Sequence, residues 1–548
     1  VTITPTFGGQ IFLKADNINV NSNAVIDAYG SGKLPRYSEI CIHPSTLSRD
    51  LFLGDGVPQE FEGLILNQDF FDTLKTEWIL VGEDFFDDDI EVSECMSGNF
   101  YIGQLNINPE KVNALWIYTL GRILNQDENS LLIAPTLNIN AYGWENGDKD
   151  DPAESAIGKQ DSPLKIKVEE LKQATSYWGP IFNIEGKNNI YIEETDGLEL
   201  GQGVSKNFYL KTGGAITDFG EGLTYYVLAD DLILSASDGI GTATNALEIA
   251  ATNFQVKNSV SRMINIDDIS GGGSLTLKVL DYGLSSYAID SVGDVKIAGA
   301  NIKFINLDGD FTLAEGKTFT VNGNLRIKED ADLDASRGTV DINGDLELEG
   351  GTFTAPSGNM YISGDFIKRT PATFVHSLGT IIFDGADTSQ ITGENTFYNL
   401  KCHTPAKEIQ FEADKTQTIL NNLDIKGTFK NPVKLRSASS GEQFIIDNRG
   451  EENIFYADVK DARAVNSITA IMSYDRGNNL NWIFFPKVDN YTDIWAEFDP
   501  DLVSEYSGFN LLFITDIIQH LETLLQYKQN LPLLISEPLL FYSSLSER

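Results

Sequence analysis

The chain has 548 residues, with 80 acidic against 40 basic side chains, a formal charge of −40 and a sequence pI near 4.3. A field of that sign repels nucleic-acid phosphates and anionic lipid headgroups, which argues against both as partners. Hydrophobic residues at 41% supply ample core and argue against general disorder, while 48 glycines beside 4 methionines suit a turn-rich β protein.

Residues 1–179 open in strand style, with apolar and polar residues alternating in Ile11-Phe-Leu13, Ile18-Asn-Val20 and Val25-Ile-Asp27, and again at Leu137-Asn-Ile139 and Leu164-Lys-Ile166. Between them, residues 35–130 are less regular and read as long loops or an elaboration. An acidic run there offers Asp84, Asp87, Asp88 and Asp89 as hard oxygen ligands of the kind calcium takes, and Asn146-Gly-Asp-Lys-Asp-Asp151 is a second such segment. Neither has the spacing of an EF-hand or of a nonapeptide calcium repeat, so solvated acidic loops are expected, with calcium the one cofactor these residues would suit. Cys41 and Cys95 leave open a disulfide in an oxidising compartment, whereas Cys402 reads as a small buried hydrophobe.

From residue 180 to 485 the strand texture continues through Ile190-Tyr-Ile192, Leu198-Glu-Leu200, Leu232-Ile-Leu234, Leu275-Thr-Leu277 and Val295-Lys-Ile297. It then becomes an internal repeat. Phe319-Thr-Val321-Asn-Gly323-Asn-Leu325-Arg-Ile327 returns 21 residues later as Val340-Asp-Ile342-Asn-Gly344-Asp-Leu346-Glu-Leu348. It returns again as Met360-Tyr-Ile362-Ser-Gly364-Asp-Phe366 and as Ile381-Ile-Phe383-Asp-Gly385. The glycines Gly338, Gly358 and Gly379 keep the same step, and Val433/Leu435 and Ile454/Tyr456 are again 21 apart before Trp482/Phe484 ends the series. A unit of about 20 residues with strands and no helix is the signature of a β-solenoid, in which Val340 lies over Met360 over Ile381 and the recurrent Gly-Asp or Gly-Asn marks a bend. The expected fold is all-β: a right-handed parallel β-helix with an irregular N-terminal elaboration. Residues 486–548 change character: Phe509–Leu525 spaces apolar residues by three and four, predicting an amphipathic helix that caps the stack or docks a partner, including a second copy of the chain.

The stretch Tyr226–Thr242, with its Gly239-Ile-Gly241 turn and following Asn245-Ala-Leu-Glu-Ile249, resembles the repeats of filamentous-haemagglutinin-like exoproteins of bacterial surfaces. Residues 379–484, with Gly379-Thr-Ile-Ile-Phe-Asp384, Phe397-Tyr-Asn-Leu400 and Asn481-Trp-Ile-Phe484, resemble repeat regions of other large bacterial surface proteins. The resemblance covers about half of the chain. It implies a right-handed β-helix, export to the extracellular space or cell surface, and an adhesive or structural role towards glycans or proteins of a host, cell or matrix. It leaves the 35–130 region and the helical tail unexplained. No stretch approaches the roughly 20 apolar residues of a membrane span, and a start at Val1 reads as a processed chain or a segment of a longer one.

Enzymatic chemistry is not expected. The rival reading is a carbohydrate-active β-helix enzyme, a polysaccharide lyase or hydrolase, with Asp230-Asp231 and Asp267-Asp268 as carboxylate pairs. Arg326-Ile-Lys328 is similar to a basic motif of polygalacturonases, but the acidic and histidine motifs that should precede it are missing. His43, His376, His403 and His520 form no zinc spacing with the cysteines, and no nucleophile elbow or phosphate loop occurs.

Overall fold

Alternation of apolar and polar residues produces strands, and the question is what covers their apolar side. The computed structural model describes residues 2–3, 9–29, 38–82, 97–142, 144–145, 148–152, 155–175, 189–218, 227–269, 274–280, 285–298 and 304–485, except positions 22, 47 and 261. Among the described residues strand makes up 60% and helix 1%, so the described protein is all-β. The helix among the described residues is the single turn Gln68–Phe71, N-capped by Asn67. The amphipathic segment 509–525, like all of 486–548, lies outside the described residues, as do Cys95 and the acidic run Asp84–Asp89.

Strands pair in parallel into one 47-stranded sheet, while Trp144–Glu145 and Asp148–Pro152 form a separate antiparallel hairpin. In the repeat region each strand pairs with the third one after it: Phe319 faces Val340, Val340 faces Met360, and Met360 faces Ile381. Phe311, Leu333, Phe353 and Phe374 form a second column, and Leu325, Leu346, Phe366 and Ile391 a third. Three short strands per 20 to 21 residues thus repeat one above the next.

One apolar column can be followed from the first rung to the last. It runs Ile11, Ile40, Ile79, Leu115, Leu137, Leu171, Leu200. It steps aside to Leu198 and continues Ile216, Ile240, Ile264, Val295, Phe319. Beyond Ile381 come Leu400 and Leu423, a second side-step to Ile425, then Ile454, Ala470 and Phe484. Each of these side chains up to Ala470 belongs to one contiguous buried core, and Phe484 packs against its end. The irregular stretch 35–130 therefore contributes rungs of the same column wherever it is described. Its strands, such as Leu74–Val81 and Val112–Thr119, are longer than those of the repeat and further apart in sequence.

Two details depart from expectation. Val433 and Ile454, though 21 residues apart, do not face one another: Val433 pairs with Ala457 and Ile454 with Ile425. The left-handed residue Tyr456, at φ 50°, separates the strand Glu451–Phe455, which holds Ile454, from the strand Ala457–Val459, which pairs with Val433. The glycines of the Gly-Asp bends are required by proximity more than by backbone angle. A Cβ at Gly344 would collide with Asn324 Oδ1 and the Gly323 backbone, and one at Gly364 with Asp345 Oδ1 and the Gly344 backbone. Only Gly323 of the three takes a positive φ.

At these bends the polar residue bonds forward to the next turn of chain. Asn324 Oδ1 accepts the Asp345 N–H at 2.8 Å, Asp345 Oδ1 the Asp365 N–H at 2.8 Å, and Asp365 Oδ1 the Gln390 N–H at 2.7 Å. Amide pairs such as Asn343–Asn322 at 2.8 Å and Asn421–Asn399 at 2.7 Å add further vertical ties.

Ile342 is fully buried between Val321 and Ile362. Ile342→Asp places an unpaired carboxyl in that column and should cost roughly 3 kcal/mol or more, read as a lowered thermal midpoint. A variant melting with the parent would show that this face does not point inward.

Candidate functional site

Charged side chains on the outer faces are mostly committed to their neighbours. Glu347, 4% exposed, lies between Arg326 and Arg369 of the flanking rungs. Arg326 donates from Nε at 3.0 Å and Nη2 at 2.8 Å, Arg369 from Nε at 2.9 Å, and the Arg326 guanidinium also lies 3.6 Å from the Phe304 ring centre. Burial pulls the Glu347 carboxyl upward, but the hydrogen bonds and charges of Arg369 and Arg326 outweigh it and hold the group below its ordinary range. Asp458 is sandwiched in the same way, by Arg436 at 2.6 Å and Arg476 at 3.0 Å. Arg326, singled out by the Arg-Ile-Lys motif, is thus a rung-to-rung clamp.

Lys407 is fully buried and donates Nζ to the carbonyls of Asp387 at 2.8 Å and Ser363 at 3.3 Å. It ties down the loop that lengthens the step from Asp365 to Gln390 to 25 residues, and burial lowers its pKa. Cys402 is buried in the core, where burial raises its thiol. His376 stacks on Tyr398, and His403 Nε2 meets Asp424 Oδ2 at 2.8 Å. Cys41 and His43 are buried side chains of the strand Glu39–His43.

Asp231 accepts Asn253 Nδ2 at 2.7 Å within an outer polar row, and Asp230 donates its backbone N–H to Lys206 O. Asp267 pairs in register with Glu248. Burial, followed by the nearby Asp218 carboxylate, raises Glu248 to about 7, and Asn245 Nδ2 donates to Asp218 at 3.2 Å. Glu194, 4% exposed, is raised to about 7 by burial and by Asp196. Among the described residues no group of three or more His, Cys, Asp or Glu side chains converges on a cation-sized site.

A feature missed in the sequence lies on the outer face of the strands Glu39–His43, Leu74–Val81, Val112–Thr119 and Leu131–Ala141. In the core, Ile79, Val81, Leu115, Ile117, Leu137 and Ile139 point inward. Their alternates Cys41, Leu80, Trp116 and Tyr118 form a separate apolar cluster on the other side. The Trp78 ring lies 5.9 Å from Trp116, which lies 6.0 Å from Tyr118. One rung on, Asn138 pairs with Trp116 and Asn140 with Tyr118. Asn138 and Asn140 are 2% and 8% exposed, yet Asn138 Nδ2, Asn140 Oδ1 and Trp116 Nε1 have no hydrogen-bond partner among the described residues. The signal in the sequence was Trp78-Ile-Leu-Val81 and Leu115-Trp-Ile-Tyr118, unbroken apolar runs that mark strands covered on both faces. Their 38-residue separation hid them from a search at the 20-residue period.

Comparison with family models, curated proteins and solved structures finds no match.

Glu194 and Glu248 bind protons in the folded state up to pH about 7 but in the unfolded chain only up to about 4.5. The fold therefore holds more protons than the unfolded chain in this window, and stability falls as pH rises through it. Glu194 contributes at most about 1.4 kcal/mol per pH unit, and the partly exposed Glu248 less. The thermal midpoint should be higher at pH 5.5 than at pH 8, and Glu194→Gln with Glu248→Gln should flatten that slope. An unchanged slope in the double variant would assign it to other groups.

Proposed function

We propose that this protein is an extracellular structural or adhesive element of a bacterial cell surface, its body a right-handed parallel β-solenoid that displays loops along a stiff rod. The observation that carries the reading is the apolar column from Ile11 to Phe484, which joins parallel rungs through one contiguous core. Parallel crossovers are right-handed in about 98% of cases, which supports the hand. The commitment of Arg326, Glu347, Asp458 and Lys407 to rung-to-rung contacts supports a scaffold over a catalytic face. The resemblance of Tyr226–Thr242 to filamentous-haemagglutinin-like repeats favours surface export, and residues 486–548 are the proposed contact to a partner or a second copy. Counting the column gives 20 rungs; at ~4.8 Å per rung the body should be about 90 Å long. Electron microscopy of the full chain should reveal rods of about that length, and antibodies should label intact cells. Compact particles, or labelling only after lysis, would overturn the reading.

A second reading, a glycan-cleaving enzyme, draws on Glu248, a carboxyl raised to about 7 beside the Asp218 carboxylate, since such a pair suits acid–base work. A polysaccharide screen decides between them. The rod reading expects no oligosaccharide release; release that is lost in Glu248→Gln would establish the enzyme.

A further inference from the structure

The outer aromatic face deepens the adhesive reading, on which it rests, by naming what is held. We propose that Trp78, Trp116 and Tyr118, with Asn138 and Asn140 on the adjoining rung, bind a neutral oligosaccharide. Three observations converge here. First, the rings form a row across neighbouring parallel strands, spaced at 5.9 and 6.0 Å, and Trp78 and Trp116 keep part of their surface open to solvent. Second, Trp116 and Tyr118 of this row belong to an apolar cluster that is separate from the core, so core packing does not account for them. Third, Asn138 and Asn140 are more than nine-tenths buried on the same face, in register with Trp116 and Tyr118, and leave an amide donor and an amide acceptor without a partner among the described residues. A buried amide without a hydrogen bond costs roughly 1–3 kcal/mol, so a ligand that satisfies both atoms recovers what the free protein forgoes.

Sugar chemistry matches this arrangement. A pyranose presents an apolar C–H face to an aromatic ring and hydroxyls at its edge, each able both to accept from Asn138 Nδ2 or Trp116 Nε1 and to donate to Asn140 Oδ1. A nucleobase also stacks, but its phosphates would meet a chain of charge −40. Uronates are disfavoured by the same field. An extended peptide would seek a free strand edge, whereas this is the face of strands paired on both sides.

The test uses the full chain and neutral hexasaccharides of glucose, xylose, mannose and N-acetylglucosamine, with oligogalacturonate as the charged control, read by tryptophan fluorescence and calorimetry. At least one neutral hexasaccharide should bind, at least tenfold tighter than oligogalacturonate. Trp116→Ala should weaken it at least tenfold. Asn138→Leu, nearly isosteric, should also weaken binding at least tenfold while its thermal midpoint stays at or above the parent's, since it removes a buried amide nitrogen that has no partner among the described residues. The proposal is overturned if no neutral hexasaccharide binds, if oligogalacturonate binds as well, if both variants bind as the parent does, or if Asn138→Leu lowers the midpoint. None of these outcomes touches rod length or surface labelling, so failure here is distinguishable from failure of the adhesive reading.

Discussion

No single turn of this chain can bury its own inner face. A rung of three short strands presents one or two apolar side chains per strand to the interior, and its backbone groups can be satisfied only by the rungs on either side. The column from Ile11 to Phe484 is the consequence, and the rest of the structure depends on it. Stability becomes a sum of rung and nearest-neighbour terms, so a charge at Ile342 would disturb several turns, whereas a change on an exposed outer position would disturb only its own.

Stacking at the separation of β-strands also decides what the bends tolerate. Where Gly344 and Gly364 pass the previous turn there is no room for a Cβ, and the side chain beside each glycine bonds to the rung after it. A strongly acidic chain can accept this arrangement because many of its carboxylates serve as acceptors for backbone N–H groups, and two of the most buried, Glu347 and Asp458, are each held between two arginines. Where neither a backbone donor nor an arginine outweighs burial, as at Glu194 and Glu248, the proton is retained to about pH 7.

The repeat was legible because neighbouring rungs bury similar side chains at a constant step. Val321, Ile342, Ile362 and Phe383 stack as their spacing implied. Spacing failed where Tyr456 separates two strands: Val433 and Ile454 share a period but not a contact. It failed again in the N-terminal part, where 38 residues separate Trp78 from Trp116 in sequence while their strands are neighbours in space. The carboxylate pairs were visible as letters, but adjacency in sequence sends consecutive strand residues to opposite faces, so Asp267 found Glu248 and not Asp268 as its companion.

The sequence by itself determined the all-β class, the 20-residue period and the identity of the inward residues, because alternation and repetition are local properties of a strand. Only the tertiary structure decided which side chains meet across rungs: the Arg326–Glu347–Arg369 clamp, the buried Lys407 and the outer row of Trp78, Trp116 and Tyr118 beside Asn138 Nδ2 and Asn140 Oδ1, which have no partner among the described residues. Those contacts depend on register between segments up to 44 residues apart, as between Lys407 and Ser363. Register is set by the lengths of the intervening loops, which the pattern within a strand does not encode.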